Sequence, residues 1–467
     1  MPQNFLACDR DQAFLLPPSV EEWLPADHFA RFVIAVVEEM DLSAFYAVYR
    51  ADGHGRAAHD PAMMVALLVY AYARGQRSSR VIERACIEDI AFRVIAANRC
   101  PDHCTIARFR QRHESALAGL FGEVLALCAQ AGLAGVAVLA VDGTKVHANA
   151  SERATRDYEQ LAREALAEAA EIDAAEDAQF GDRRGDELPA ELASAQGRKK
   201  WLAEAKRRLD AQREREARPI AASRPARVRE AKRRLEEELR TECAANAAYE
   251  AYRARGVMKN GRRFGSPPKP YEPPEHPTGK INVTDPDSRN VKTPRGWVQG
   301  YNAQAVCNEH QIVLAAEISV SSADFGLLDP MIAAAQHELS SAGINAPPEV
   351  VLADAGYWHG EQIDELMGRG VAVLIPPDGA GRQGNRPGWN SGRYAFMRRL
   401  LEGEIAGALY RQRQVMIEPV FADTKFNRRI DRFLRRGRSA VRSEWRLITA
   451  SGNLLKLHRH QLRLASP

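Results

Sequence analysis

Two short apolar runs, at 136–142 and 350–354, each close on an aspartate, Asp142 and Asp354. Runs of this length bounded by polar residues read as buried strands. An aspartate closing such a strand stands at a sheet edge, where a rigid scaffold holds a carboxylate beside solvent. Earlier in the chain the pattern has a different period. Residues 21–40 alternate apolar and polar positions at helical spacing. Pro61 then opens a long apolar helix, well placed because a first-turn N–H would have no partner anyway, and Gly75 marks its end. Ser78 and Ser79 predict the cap of a helix running to about Ala97. After Pro101, Thr105 predicts the cap of another, with Arg108 and Arg112 four residues apart on one face. Residues 1–130 therefore read as an all-helical domain.

From about residue 280 the pattern alternates again. Stretches 297–306 and 311–320 predict two strands joined by a turn at 307–310. A helix at 327–339, the strand ending at Asp354, a helix at 360–367 and a buried strand at 371–375 follow. That order predicts an α/β fold, a mixed sheet with helices on its faces, formed by residues 131–150 and 278–460. Residues 151–277 separate the two parts and are dominated by Ala, Glu, Lys and Arg with sparse apolar positions. They predict an insertion of long exposed helices, a helical hairpin broken midway by Pro219 and Pro225. Its last part, from Gly256, with Lys259, Arg262, Arg263 and Lys269 among several prolines, reads as a basic connector. A solvated spacer fits this insertion better than a catalytic role.

Composition narrows the function classes. Of the 467 residues 45% are hydrophobic, yet no apolar run reaches the roughly 20 residues of a membrane helix. The opening lacks a signal peptide's basic start and apolar stretch, so a cytoplasmic protein is expected. The seven cysteines are odd in number and scattered, which favours a reducing compartment over a disulfide scaffold. Cys100, His103 and Cys104 have metal-like composition, but no second ligand pair follows at zinc-site spacing, and ordinary buried thiols are the better reading. The net charge of +4 hides an asymmetry: from Arg411 onward fourteen basic and four acidic residues give +10, leaving −6 for the rest. A basic face beside carboxylates suits a polyphosphate substrate; a solvated helix face is the alternative. The N-terminal helices, with Arg108 and Arg112, fit either a DNA-reading module or a bundle that buttresses the catalytic domain.

Glu418 supplies a third carboxylate, at the start of a helix-like stretch rich in arginine. Each acid alone has an ordinary explanation. Asp142-Gly143 is a common turn, Asp354 a helix cap, Glu418 a first-turn acid favoured by the helix dipole. Together they point further. Three gathered carboxylates repel one another unless divalent cations sit between them, and paired cations are the usual apparatus of phosphoryl transfer. Near Asp142, His147 and Ser151 form no serine–histidine–acid set, so recombination through a covalent protein intermediate is the weaker reading.

The sequence resembles the DDE transposases of bacterial insertion sequences, in particular the IS1182-like branch of the IS4/IS5 group. The resemblance rests on the stretches at 141–151, 284–289, 299–304, 353–357, 417–421 with Lys425, 432–437, 444–447 and 453–456. It implies an RNase H-like catalytic core using two Mg²⁺ or Mn²⁺ ions per active site, held by Asp142, Asp354 and Glu418. Lys425, two helical turns beyond Glu418, would act with Tyr410 and Arg413 on phosphates or the cleaved end. Tyr410 and Arg413 lie one position further from Glu418 than in the group's usual signature, and the stretch at 451–453 departs from it. Arg108, Arg112, Arg428 and Arg429 are further expected DNA contacts. The implied partners are double-stranded DNA, as terminal inverted repeats and as target, and a second copy in a synaptic homodimer on the nucleoid. A nuclease without strand transfer and an inactive DNA-binding derivative are the alternatives.

Overall fold

The computed structural model describes residues 19–49, 57–165, 198–215, 223–256, 270–293, 296–377 and 392–465. Pro219 and the connector's Lys259, Arg262, Arg263 and Lys269 lie outside them.

The protein is a mixed α/β structure preceded by a helical region. Its main sheet is built on β1 (Val138–His147), which pairs antiparallel with β5 (Gly296–Asn308) and parallel with β7 (Val350–Ala353). On the far side β7 pairs parallel with β8 (Ala372–Leu374). The other edge of β5 is shared by β4 (Arg289–Thr293) and β6 (Val313–Ser319), both antiparallel. The hairpin, the order of strands and helices, and the helices Leu328–Ser341 and Gly360–Gly368 match the sequence pattern. One expectation fails. The strand does not end at Asp142: β1 continues five residues to His147, because β5 is long enough to pair with all of it. A partner strand thus overrides a local turn signal.

The insertion leaves the sheet through β2 (Thr155–Asp157) and returns through β3 (Lys280–Asn282), and these two pair antiparallel. The segment's two ends are therefore fastened side by side. Within it the helices Arg198–Arg215 and Arg224–Ala254 pack on each other. A cluster of Trp201, Tyr249 and Tyr252 joins them, and another around Val228, Ala231, Leu235 and Ile281 fastens the second helix to β3. Pro225 does not break a helix; it sits in the first turn behind the Ser223 cap, where its missing N–H has no cost.

In the N-terminal region all of the expected helices occur, one as expected and three with shifted boundaries. The helix Pro61–Ala73 starts from an Asp60 cap and is buried almost throughout. The stretch 21–40 is instead a short 3-10 turn and the helix Phe29–Glu39, separated around Pro25. The helix expected to run to Ala97 breaks at Asp89, whose carboxylate caps Ile90–Ile95 through the N–H groups of Ala91 and Phe92. The helix His103–Arg112 is capped by Asp102, one turn before the expected Thr105.

These helices share one continuous apolar core with the sheet. The long helix Arg438–Ala465 joins them, packing on Glu114–Gln130, Pro61–Ala73 and β6. Trp445 is fully buried, and its indole donates to the Gln304 carbonyl. Asn453 clamps the start of β6 with both ends of its amide, to Val313 N–H (2.9 Å) and Val313 C=O (2.8 Å). At Gly75, φ is +75° and a Cβ would collide with the Arg428 carbonyl, so this close approach admits only glycine. Among the described residues no helix is long and apolar enough to cross a membrane.

Candidate active site

Val141 and Ala353 are paired on adjacent parallel strands. The next residues are Asp142 and Asp354, so the two carboxylates project from neighbouring strands about 4.8 Å apart. Asp354 ends its strand as expected and accepts from Gly356 N–H at 2.8 Å. Asp142, inside β1, accepts from Gly143 N–H (2.7 Å) and, at 3.0 Å, from the Arg413 guanidinium. Burial pushes the Asp142 carboxyl up to about 6; Arg413 and the Gly143 N–H oppose the shift, while Asp354 and Asp324 add to it. A buried acid whose pKa neighbouring carboxylates help to raise marks a site wanting positive charge.

Arg413 arrives on the helix Glu404–Ala422, with half-buried Tyr410 one turn ahead of it. Further along, Pro419 has no N–H for the Val415 carbonyl; the Gln311 side chain donates there instead, at 2.9 Å. Glu418 stands just before this proline, in the helix's last turns rather than at a helix start. It is exposed and, among the described residues, makes no hydrogen bond or ion pair. No three His, Cys, Asp or Glu side chains among the described residues are gathered as a metal site. The donor set fits a divalent cation in part: Asp142 and Asp354 are adjacent hard-oxygen ligands, and Glu418 does not join them.

After Ala422 the helix widens into a π-turn, Asp423–Asn427. It aims Lys425 at β1, where the ammonium donates to the Lys145 carbonyl at 3.0 Å. Burial lowers the Lys425 pKa, with Asp431 opposing. Arg428 departs from expectation. Its guanidinium is buried and donates to the Ile448 carbonyl, Ser451 Oγ and Thr424 Oγ1 beside an ion pair with Asp423. It holds the π-turn against the last helix and is not presented to DNA. Arg429 is exposed, with φ +53°. Arg108 and Arg112 are exposed as the helical spacing predicts, although Arg112 stacks on Tyr49 and donates to the Val48 carbonyl. Cys100 and Cys104 are exposed thiols rather than buried ones, and His103 pairs with Glu83 at 2.8 Å.

Sequence reasoning missed what stands behind Asp142. Directly opposed residues of an antiparallel pair share a face, so Gly143 with Gln304 and Lys145 with Asn302 line the face opposite Asp142 and Ala305. There Asp324 accepts from Asn302 and Gln304 amides (both 2.8 Å) and from Lys145 (3.2 Å). The Gln304 carbonyl end takes the Tyr357 hydroxyl. Gly143 makes room: a Cβ there would overlap the Gln304 amide and lie 2.7 Å from Asn302 Oδ1. The available signal was the amides of Asn302 and Gln304 at alternate positions of a largely buried strand. Farther away, the acids at 285 and 287 organise the chain. Asp285 accepts from Tyr301 hydroxyl (2.8 Å) and Gly437 N–H (3.1 Å), and Asp287 from Arg438 N–H (2.8 Å). Glu444, fully buried, holds Arg77 (2.6 Å) and the backbone N–H groups of Leu434 and Arg435.

Two family models match the chain. Residues 18–112 match one described as "Transposase domain (DUF772)", and residues 278–454 match one described as "Transposase DDE domain". Asp354, Glu418 and Lys425 fall inside the second match; Asp142 lies in neither, because the insertion separates β1 from the rest of its sheet. No curated protein and no solved structure matches the chain.

Proposed function

From a chain that belongs to the DDE transposases of insertion sequences, we propose an enzyme that binds its element's terminal inverted repeats, cleaves there and joins the freed 3′ ends to target DNA. The observation that carries this reading is the pair Asp142–Asp354 on neighbouring parallel strands, with Arg413 and Tyr410 facing them. The strand order β6-β5-β1-β7-β8, with only β5 antiparallel to its neighbours β1 and β6, supports an RNase H-like core. Residues 1–130 would serve end binding through Arg108 and Arg112, residues 131–150 with 278–460 the chemistry, and 151–277 a spacer.

In this mechanism Asp142 and Asp354 would hold the cation, and Glu418, exposed on the helix that carries Arg413, is the remaining acid of the expected triad. Mg²⁺ or Mn²⁺, two ions per site, would supply activation of water and of the freed 3′-hydroxyl and neutralise the departing oxygen. Arg413 exchanges Asp142 for a backbone phosphate, as a planar guanidinium can. Lys425 keeps a compact charge near the cleaved end, Tyr410 orients it, and Arg429 contacts the flanking backbone. One active site per end requires a second copy, so a synaptic homodimer follows.

The test is a labelled duplex carrying the element's ends, incubated with Mg²⁺ and either the parent or Asp354→Asn. Cleavage and joined products from the parent alone support the reading. Cleavage without joining would mean a nuclease, and specific binding without cleavage an inactive DNA-binding derivative. Equal cleavage by both proteins would misplace the site.

A further inference from the structure

Beyond the carboxylates, the same strand ends at a second concavity. His147, the last residue of β1, Arg153, Thr284, Gln299, Arg432 and Arg436 line an open cavity of about 670 Å³, joined by Glu152 as its lining acid. That volume lies within the range of small-ligand sites and exceeds what a lone phosphate needs. Its walls are fixed by backbone. His147 N–H donates to Asp431 C=O (3.0 Å), Phe433 N–H to His147 C=O (2.8 Å), and Ala148 N–H to Gln299 C=O (2.9 Å). Arg432 donates to the Ala148 carbonyl (3.2 Å) and Arg436, through Nε, to the Asn149 carbonyl (2.8 Å). Each guanidinium is thereby oriented while keeping further N–H donors.

The charge state sets these arginines apart. Nearby Arg77, Arg428, Arg435, Arg442 and Arg446 are each paired with a carboxylate. Arg153, Arg432 and Arg436 make no ion pair among the described residues, and one glutamate faces the three of them. Three unneutralised forks converging on one cavity call for an anion of planar or tetrahedral oxygens. The cavity's size calls for more than the anion. It opens five residues beyond Asp142 on one strand, about 17 Å at 3.3 Å per residue.

We propose that this cavity holds one unpaired nucleotide of the substrate DNA, its phosphate on Arg432 and Arg436 with Arg153 above, and its base in the remaining space. A duplex backbone passes over a surface; a single nucleotide enters a hollow. The inference rests on the transposase reading for its substrate, but its test does not depend on catalysis. Binding of a fluorescent 20-nucleotide oligothymidine and of the matching duplex is measured in chelator, with no metal, across salt concentrations. The doubly substituted Arg432→Gln/Arg436→Gln protein is expected to bind the single strand at least tenfold more weakly. Its salt dependence should also become shallower, by roughly 0.7 for each phosphate that is no longer neutralised. Thymidine monophosphate should compete with the oligonucleotide on the parent and not on this variant. Because both arginines also hold backbone carbonyls, Arg153→Gln provides an independent arm, expected to weaken binding about threefold with an unchanged melting midpoint. Unchanged affinity and slope in both variants would overturn the proposal, as would an equal loss on fully paired duplex. Asp354→Asn should leave this binding intact, so loss of the catalytic reading and loss of this site are separate outcomes.

Discussion

Asp142 and Asp285 lie in two corners of the molecule, and both carboxyls are pushed up to about 6 with burial as the largest cause. Their surroundings differ. Asp285 accepts on one oxygen from groups that belong to the fold, a tyrosine hydroxyl and a backbone N–H at the start of the last helix, while its other oxygen is buried without a hydrogen-bond partner among the described residues. Its neighbour Asp287, also buried, is nevertheless held below the usual carboxylate range, because Arg234 and the Arg438 N–H outweigh the burial. That corner is a closed tie between the insertion, the strand edge and the C-terminal helix. Asp142 instead stands beside Asp354 and faces one arginine on a helix that carries Tyr410 and Glu418, with Asp324 behind it. A shifted carboxyl alone therefore does not identify a reacting site. What separates the two is the company each keeps: a second strand-borne carboxylate and a helix-borne arginine at Asp142, groups that tie the fold together at Asp285.

Substitutions can press on that distinction. The largest effect is expected at the open site: Asp142→Asn or Asp354→Asn should cut strand cleavage by about three orders of magnitude, roughly 4 kcal/mol of barrier, with no fall in melting temperature. Asp285→Asn, assayed alongside, should stay within about twofold of the parent; a comparable loss would erase the contrast. Next comes the tie at Glu444. Glu444→Ala leaves Arg77 buried without its partner, and denaturant unfolding should show a loss of about 3–5 kcal/mol. A loss under 1 kcal/mol would mean the pair is dispensable.

The third expectation concerns pH. Asp285 has a folded pKa above its unfolded value, so its protonated form is favoured on folding, and its contribution is fully present below pH 3.8 and lost as pH rises through about 6. Asp285→Asn should therefore be more stable than the parent at pH 8, by on the order of 2–3 kcal/mol. The two should converge near pH 4 in urea titrations. A parent that is the more stable at pH 8 would show that the charged form is well held. The smallest expected effect is at the back wall of the open site. Gly143→Ala forces the Gln304 amide aside and should cost about 1–3 kcal/mol. Gln304→Ala on that background should recover part of the loss; no recovery would place the strain elsewhere.

Much of the sheet was legible because its signals are local and periodic: the runs ending at Asp142 and Asp354, the hairpin, and the alternation of helix and strand after residue 327. What the sequence hid was set by partners distant in the chain. The strand expected to end at Asp142 runs on to His147 because β5 lies beside it. Arg428 reads as one more cation in a basic stretch, yet the Ile448 carbonyl and Ser451 claim its guanidinium. Asp324, 179 residues from Lys145, carries no motif of its own and meets β1 only through the fold. Of the proposed triad, the two strand-borne acids come together as the spacing implied. The place of Glu418 depends on a helix whose proline and π-turn no periodicity announces.

The helix Arg438–Ala465 has a consequence in time. It supplies part of the core for helices that begin at Pro61, and Glu444 reaches back to Arg77. A ribosome adding about 5–20 residues per second releases the N-terminal helices tens of seconds before the segment that seals them. Until then part of their apolar surface has no cover, and the π-turn bearing Lys425 lacks the helix that Arg428 ties it to. The enzyme's birth is thus a single late event, and a chain cut short before that helix leaves no partly competent nuclease loose in the cell.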